Sequence, residues 1–278
     1  MKKSFIVGLL SLSLLSANAQ ELPKPSPLCS SSQVVGLTNI KLEYSRPSVK
    51  DRKIFGALVP YGKVWRLGAN APTMLTTDTP IMFDGQTVEP GTYAVFAFPM
   101  EKEAWKIVLN TDIEQWGAGN YDEAKNVATV KVKPMENAHT ESLSITIEDL
   151  NTNGGSLVIA WAKTKVSVPF SLKTDDIAIK NIEDAIAKGE DLDKVYARAA
   201  GYYRESKKDL KTAMNYTEKS LKIKESHSAM FLKARITFDL GDKKEAIQIA
   251  EKASTMAVAA ESQGWADYIN ETIAEWKK

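Results

Sequence analysis

The 278-residue sequence predicts an all-β domain of sandwich or barrel type followed by an all-α domain of helical hairpins, and three observations carry that prediction. Residues 33–170 break into roughly ten short apolar or alternating stretches divided by turn signals, the pattern of a closed or two-layered β fold. From Asp176 to Lys278 there is no proline, and Ala, Lys, Glu and Leu dominate, which is helical composition. A single cysteine, Cys29, forbids an internal disulfide, so both domains must be held by packing.

Residues 1–19 read as a secretory signal. Lys2 and Lys3 supply the charged start, 5–15 is the apolar run, and Ala17-Asn18-Ala19 is a signal-peptidase site. That run is much shorter than the roughly 20 residues of a membrane span. The mature chain is then expected to begin at Gln20, to have no transmembrane segment, and to be periplasmic or extracellular. Residues 20–30 alternate proline with polar residues and predict an extended, poorly ordered arm holding Cys29 as a lone thiol. Pro23, Pro25, Pro27 and Leu28 ahead of that cysteine argue against a lipid anchor.

The β domain is expected over 31–172. Strands are predicted at 33–36 and 39–44, the second placing Ile40, Leu42 and Tyr44 on one face. Strands 74–77 and 81–83 follow, and Asp84-Gly85 turns the chain into 87–88. The strand at 92–98 is apolar on both faces and therefore central. Further strands are predicted at 104–109, 127–133, 142–147, 157–161 and 166–170, with a turn at Asn153-Gly154-Gly155.

The α domain is expected over 173–278. Helices are predicted at 177–188, closed by Gly189, from an Asp191 cap to about 204, and at 209–222, 226–240, 243–258 and 263–276. Ala200 and Ala213 recur as Ala234 and Ala246, and Asp209 as Asp242, a period of about 33 to 34 residues similar to tetratricopeptide helix pairs. The aromatic positions of such repeats are kept only loosely, by Tyr203, Tyr216 and Phe238. Such a stack could present a protein partner with a platform, or be an irregular stack without a groove.

Charge and motifs exclude several function classes. A net charge of +1 gives no electrostatic case for nucleic acid or an anionic membrane. His139 and His227 fall in different domains and one cysteine completes no zinc site, so no metal or cofactor is expected. The 149–153 run DLNTN lacks the ligand ladder of a calcium loop. Ser45 and Ser48 lack a nucleophile elbow and an obvious base. Neither Gly68-Ala69-Asn70 nor Gly117-Ala118-Gly119 follows the strand, loop and helix order of a phosphate cradle.

What stands out is 44–73. It holds Arg46, Arg52 and Arg66, half of the six arginines, with three prolines, three glycines, Trp65 and Asn70. Arginine's planar fork specifies geometry as lysine does not. Tyr44, Arg46, Arg52, Trp65, Arg66 and Asn70, joined by Trp116 and Tyr121, would line a cleft with aromatic stacking surfaces and forked donors, suited to a glycan, a peptide or an acidic small molecule. On the structural reading the same arginines pair internally and pin a long connection over the sandwich, with Trp65 as its plug.

The run SRPSVKxRxIFGxLVPYGxVWRxGAN at 45–70, followed in order by PGTYAVF at 90–96, WG at 116–117 and VKVKP at 130–134, resembles the exported bacterial family known as domain of unknown function 2911, over about 27–172. That resemblance implies a secreted β-sandwich, often with a helical or tetratricopeptide-like tail, and no established activity. Its motif falls on Arg46, Arg52, Trp65, Arg66, Gly68 and Asn70. The leading functional expectation is a non-enzymatic binding or interaction module of the cell envelope. The alternative is a hydrolase or lyase in which Arg66 and Asn70 hold an oxyanion and Asp51, Asp78 or Asp122 acts as base.

Overall fold

The computed structural model describes residues 22–207 and 209–278, which divide between Leu172 and Lys173 into two compact units. The expected signal sequence and its cleavage point lie outside the described residues. The first unit is two antiparallel sheets. Strands β1 (Leu28–Val35), β2 (Thr38–Ser45), β3 (Ala69–Thr77), β6 (Gly91–Phe98), β7 (Trp105–Asn110) and β8 (Asn126–Val132) lie in the order β1-β2-β3-β6-β7-β8. The smaller sheet is ordered β5-β4-β10-β9, from β4 (Ile81–Phe83), β5 (Gln86–Val88), β9 (Met135–Asn151) and β10 (Gly154–Leu172).

One apolar core joins the inner faces of both sheets. Leu42, Leu75 and Ile107 of the large sheet and Phe83, Ile159 and Val168 of the small one belong to it. The alternation along β2 explains its placement, since Ile40 and Leu42 are buried while Lys41 and Glu43 pair outward at 2.9 Å. Strand β6 lies between β3 and β7, and its doubly apolar pattern has a second cause. Ala94 and Phe96 point to the outer face, where Tyr121 and Val64 cover them. Asp84 and Gly85 both take positive φ, 49° and 75°, as a two-residue hairpin between β4 and β5 requires.

Three local expectations are corrected. The arm gives way to β1 at Leu28, so Cys29 is a half-buried strand residue opposite Tyr44. The turn before β10 is made by Thr152 and Asn153; Gly154 and Gly155 are strand residues. A Cβ on Gly154 would come within 2.3 Å of Phe170 O and one on Gly155 within 2.9 Å of Glu148 O, so close backbone approach rather than turning demands these glycines. The segments 157–161 and 166–170 form one continuous strand, bent where Ala162 takes φ 52° between register shifts.

Among the described residues the second unit has six α-helices, α1 (Thr174–Lys188), α2 (Leu192–Tyr202), α3 (Leu210–Ile223), α4 (His227–Asp239), α5 (Lys243–Ala259) and α6 (Gln263–Lys277), with a π-helical turn at Tyr203–Lys207 after α2. Gly189 closes α1 in the left-handed conformation, and Asp209, Ser226 and Asp242 accept backbone N–H groups at the starts of α3, α4 and α5. Asp191 does not cap α2 with its side chain; its carboxylate pairs with Lys194 at 3.0 Å. Buried Ala234, Ala250, Ala253 and Ala266 let α4, α5 and α6 approach closely. No helix among the described residues is long and apolar enough to cross a membrane.

Candidate functional site

The connection from β2 to β3 is fastened at both ends by backbone hydrogen bonds. Arg46 N–H donates to Pro27 O, Val49 N–H to Glu141 O, and Leu143 N–H to Pro47 O, so 46–49 runs as an added partner beside β9. Farther along, Trp65 and Ala97 exchange both backbone bonds at 2.7 and 2.8 Å, laying the chain against β6. The Trp65 ring then lies on Trp161 of β10, centroids 5.8 Å apart and planes 16° from parallel, with Phe55 edge-on to both. Gly68 permits the return, because a Cβ there would sit 2.8 Å from Ser45 O.

Backbone strain gathers in this stretch. Lys50, Asp51, Leu67 and Asn70 take φ between 48° and 63°, the left-handed region that side chains other than Asn and Asp rarely enter. Leu67 is the clearest outlier, bulky and fully buried. Thr73 holds it there by donating its hydroxyl to Leu67 O, and Thr73 N–H donates to Arg66 O. Strain of this kind persists only where the surroundings over-determine it, and it concentrates at functional sites.

The fastened loop leaves a cleft of about 320 Å³. Trp65, Trp161 and Pro47 form apolar wall, Lys50, Arg52 and Arg66 bring positive charge, and Pro25 and Ser26 of the preceding arm complete one side. Among the described residues no carboxylate lines the cleft. Arg52 is braced from below, its Nε donating to Val49 O at 3.0 Å and a terminal nitrogen to Ser48 O at 2.5 Å. Arg66 is different. Its Nε is buried with no partner among the described residues, and burial lowers the guanidinium below arginine's ordinary pKa.

The expected site residues separate into groups. Arg52, Trp65 and Arg66 line the cleft. Tyr44 is a core residue whose hydroxyl accepts Ile145 N–H at 2.9 Å, and burial raises its pKa. Arg46 acts as a clasp, its Nε donating to Leu143 O at 2.8 Å. Asn70 is exposed, donates to Ser45 Oγ at 3.2 Å and does not line the cleft. Trp116 is 74% exposed, and Tyr121 packs edge-on to Phe96 and Phe98; neither is among the lining residues.

The carboxylates considered as bases are elsewhere as well. Asp78 accepts Asn39 N–H, Asp122 accepts Ala124 N–H, and Asp51 is exposed without lining the cleft. Asn70, Asp51, Asp78 and Asp122 are thus not among the residues that line the cleft with Arg66. His139 pairs with Glu141, and no three of His, Cys, Asp and Glu among the described residues converge as metal ligands.

Sequence reading did not single out Trp161, Lys50, or the contribution of Pro25 and Ser26. Trp161 looked like one more apolar strand residue. Only the pairing of β9 with β10 and the Ala162 bulge bring it beneath Trp65.

Two antiparallel sheets, a strained arginine-bearing connection and a cationic cleft beneath it define a β-rich module with a candidate recognition site. A family model described as "Protein of unknown function (DUF2911)" matches residues 26–170, more than half of the chain, and the chain belongs to that family. The description assigns no activity. No curated protein and no solved structure matched the chain.

Proposed function

We propose that this protein is an exported, non-enzymatic binding module whose β unit holds a small ligand in the cleft beneath the 44–73 connection. The observation that carries this reading is Arg66, whose Nε is buried and unpartnered at a cleft rather than paired within the fold. A buried polar group left without a partner costs stability, and such a cost points to a role outside the folded chain's own packing. Strain at Lys50 and Leu67 supports the same reading, because it holds the residues around the cleft in a conformation the chain would not otherwise choose. The volume is at the small end for ligand sites, suiting a monomer-sized molecule rather than a polymer segment.

Pinning and binding are divided between residues. Arg46 and Tyr44 fasten the connection, and Arg52 and Arg66 face the ligand. The helical unit is proposed as a tetratricopeptide-like platform for a protein partner, supported by its successive hairpins and its repeated Asp209 and Asp242 caps. Tryptophan emission of the full chain, titrated with a panel of glycans, peptides and acidic metabolites, tests the cleft directly. Saturable change that Arg66→Gln abolishes is the expected result; ligand responses indifferent to Arg66 contradict it.

A further inference from the structure

The chemistry of the cleft selects among ligand classes. Trp65 and Trp161 are 7% and 2% exposed, nearly parallel to each other with Phe55 packed against both, so little of either ring is open to a ligand. A sugar that stacks needs an open aromatic face. The expectation of stacking surfaces for a glycan is therefore not met at these two rings.

The charged groups agree. Lysine and arginine side chains donate hydrogen bonds and cannot accept them, and among the described residues Lys50, Arg52 and Arg66 are the charged ones lining the cleft. A donor-only set is complemented by an acceptor-only group. Arg66 gains most from one, since burial has removed water from its Nε without supplying a partner. A neutral polyol would still leave that charge uncompensated.

We propose that the occupant of this cleft is a monomer-sized oxyanion, a carboxylate or phosphate whose charged head is held by Arg66 and Arg52 with Lys50 at the rim, and that neutral sugars are excluded. This rests on the cleft being the binding site. Carboxylate and phosphate share the required chemistry, and the experiment separates them.

Thermal unfolding and tryptophan emission of the full chain would be followed against glucuronate, inorganic phosphate and glucose. One or both anions should give saturable shifts and glucose none, and the preferred anion identifies the source of the head group. Arg66→Gln and Arg52→Gln should each weaken that anion by about tenfold or more, and raising salt toward roughly 1 M should weaken it further. Glucose binding as well as glucuronate, with Arg66→Gln weakening both, would overturn the oxyanion class while leaving the cleft as a site. Anion binding unchanged in both variants would place the anion elsewhere and overturn the cleft with it. No saturable response to either anion overturns the proposal. Arg52 is exposed and lies outside the apolar core, giving up only its bonds to Val49 O and Ser48 O on substitution, so it supplies a second variant should Arg66→Gln fail to fold.

Discussion

Trp65 and Trp161 lie nearly parallel, 5.8 Å between ring centres, although one belongs to a loop and the other to the long strand β10. This contact joins the connection to the small sheet, while the Trp65 backbone is bonded to β6 of the large one. One residue thus ties both layers and walls the cleft.

Trp65→Ala should therefore cost about 3–5 kcal/mol, the range for removing a large buried aromatic. Urea unfolding is the measurement, with a lower midpoint and an unchanged slope expected. A cost under about 1 kcal/mol would mean the loop is not packed as described.

Arg46 and Arg66 should behave oppositely on truncation. Arg46→Gln strands Leu143 O and should destabilise by about 1–3 kcal/mol. Arg66→Gln removes a buried, unpartnered donor and should leave stability within about 0.5 kcal/mol or raise it. Equal losses in both variants would return Arg66 to a purely structural role.

The contrast shows where sequence reading stops. Alternation at Ile40, Leu42 and Tyr44 and the Asp84-Gly85 turn mark strands and a hairpin because those signals are local in the chain. The helical half was legible for the same reason, through its composition and the stop at Gly189, whereas the cap read at Asp191 is not made by that side chain. Arg46 and Arg66 are the same residue type in one motif, and only the distant carbonyl of Leu143 separates a clasp from a cleft residue. Trp116 drew attention by type, whereas Trp161 did not, because its role depends on a bend at Ala162 that local sequence does not announce. The length of β9 and β10 was likewise hidden, since bulges interrupt the alternation along strands that stay paired.

Alkaline pH should expose the role of Tyr44. Burial raises its pKa, so the folded chain keeps this proton more tightly than the unfolded chain does. Its contribution is then full below about pH 10, the unfolded value, and is lost as pH rises toward the folded value. Tyr44→Phe should lose about 1–3 kcal/mol at pH 7, because Ile145 N–H loses its acceptor. The variant should also show a shallower stability loss above pH 10 than the parent; parallel curves would contradict the assignment.

We further expect the β unit to fold without the helices. A chain ending at Leu172 should keep a cooperative unfolding transition, since its apolar core draws on both sheets and on no helix residue. Failure to fold would refute independence of the two units.

The most direct test of the cleft is the arginine Nε–H signal of Arg66, identified by its disappearance in Arg66→Gln and followed by NMR during titration of the full chain with glucuronate or phosphate. If Arg66 waits unpaired for an oxyanion, that signal shifts downfield and saturates with the tryptophan response, and glucose leaves it in place. A signal that stays fixed while an anion binds would contradict the account.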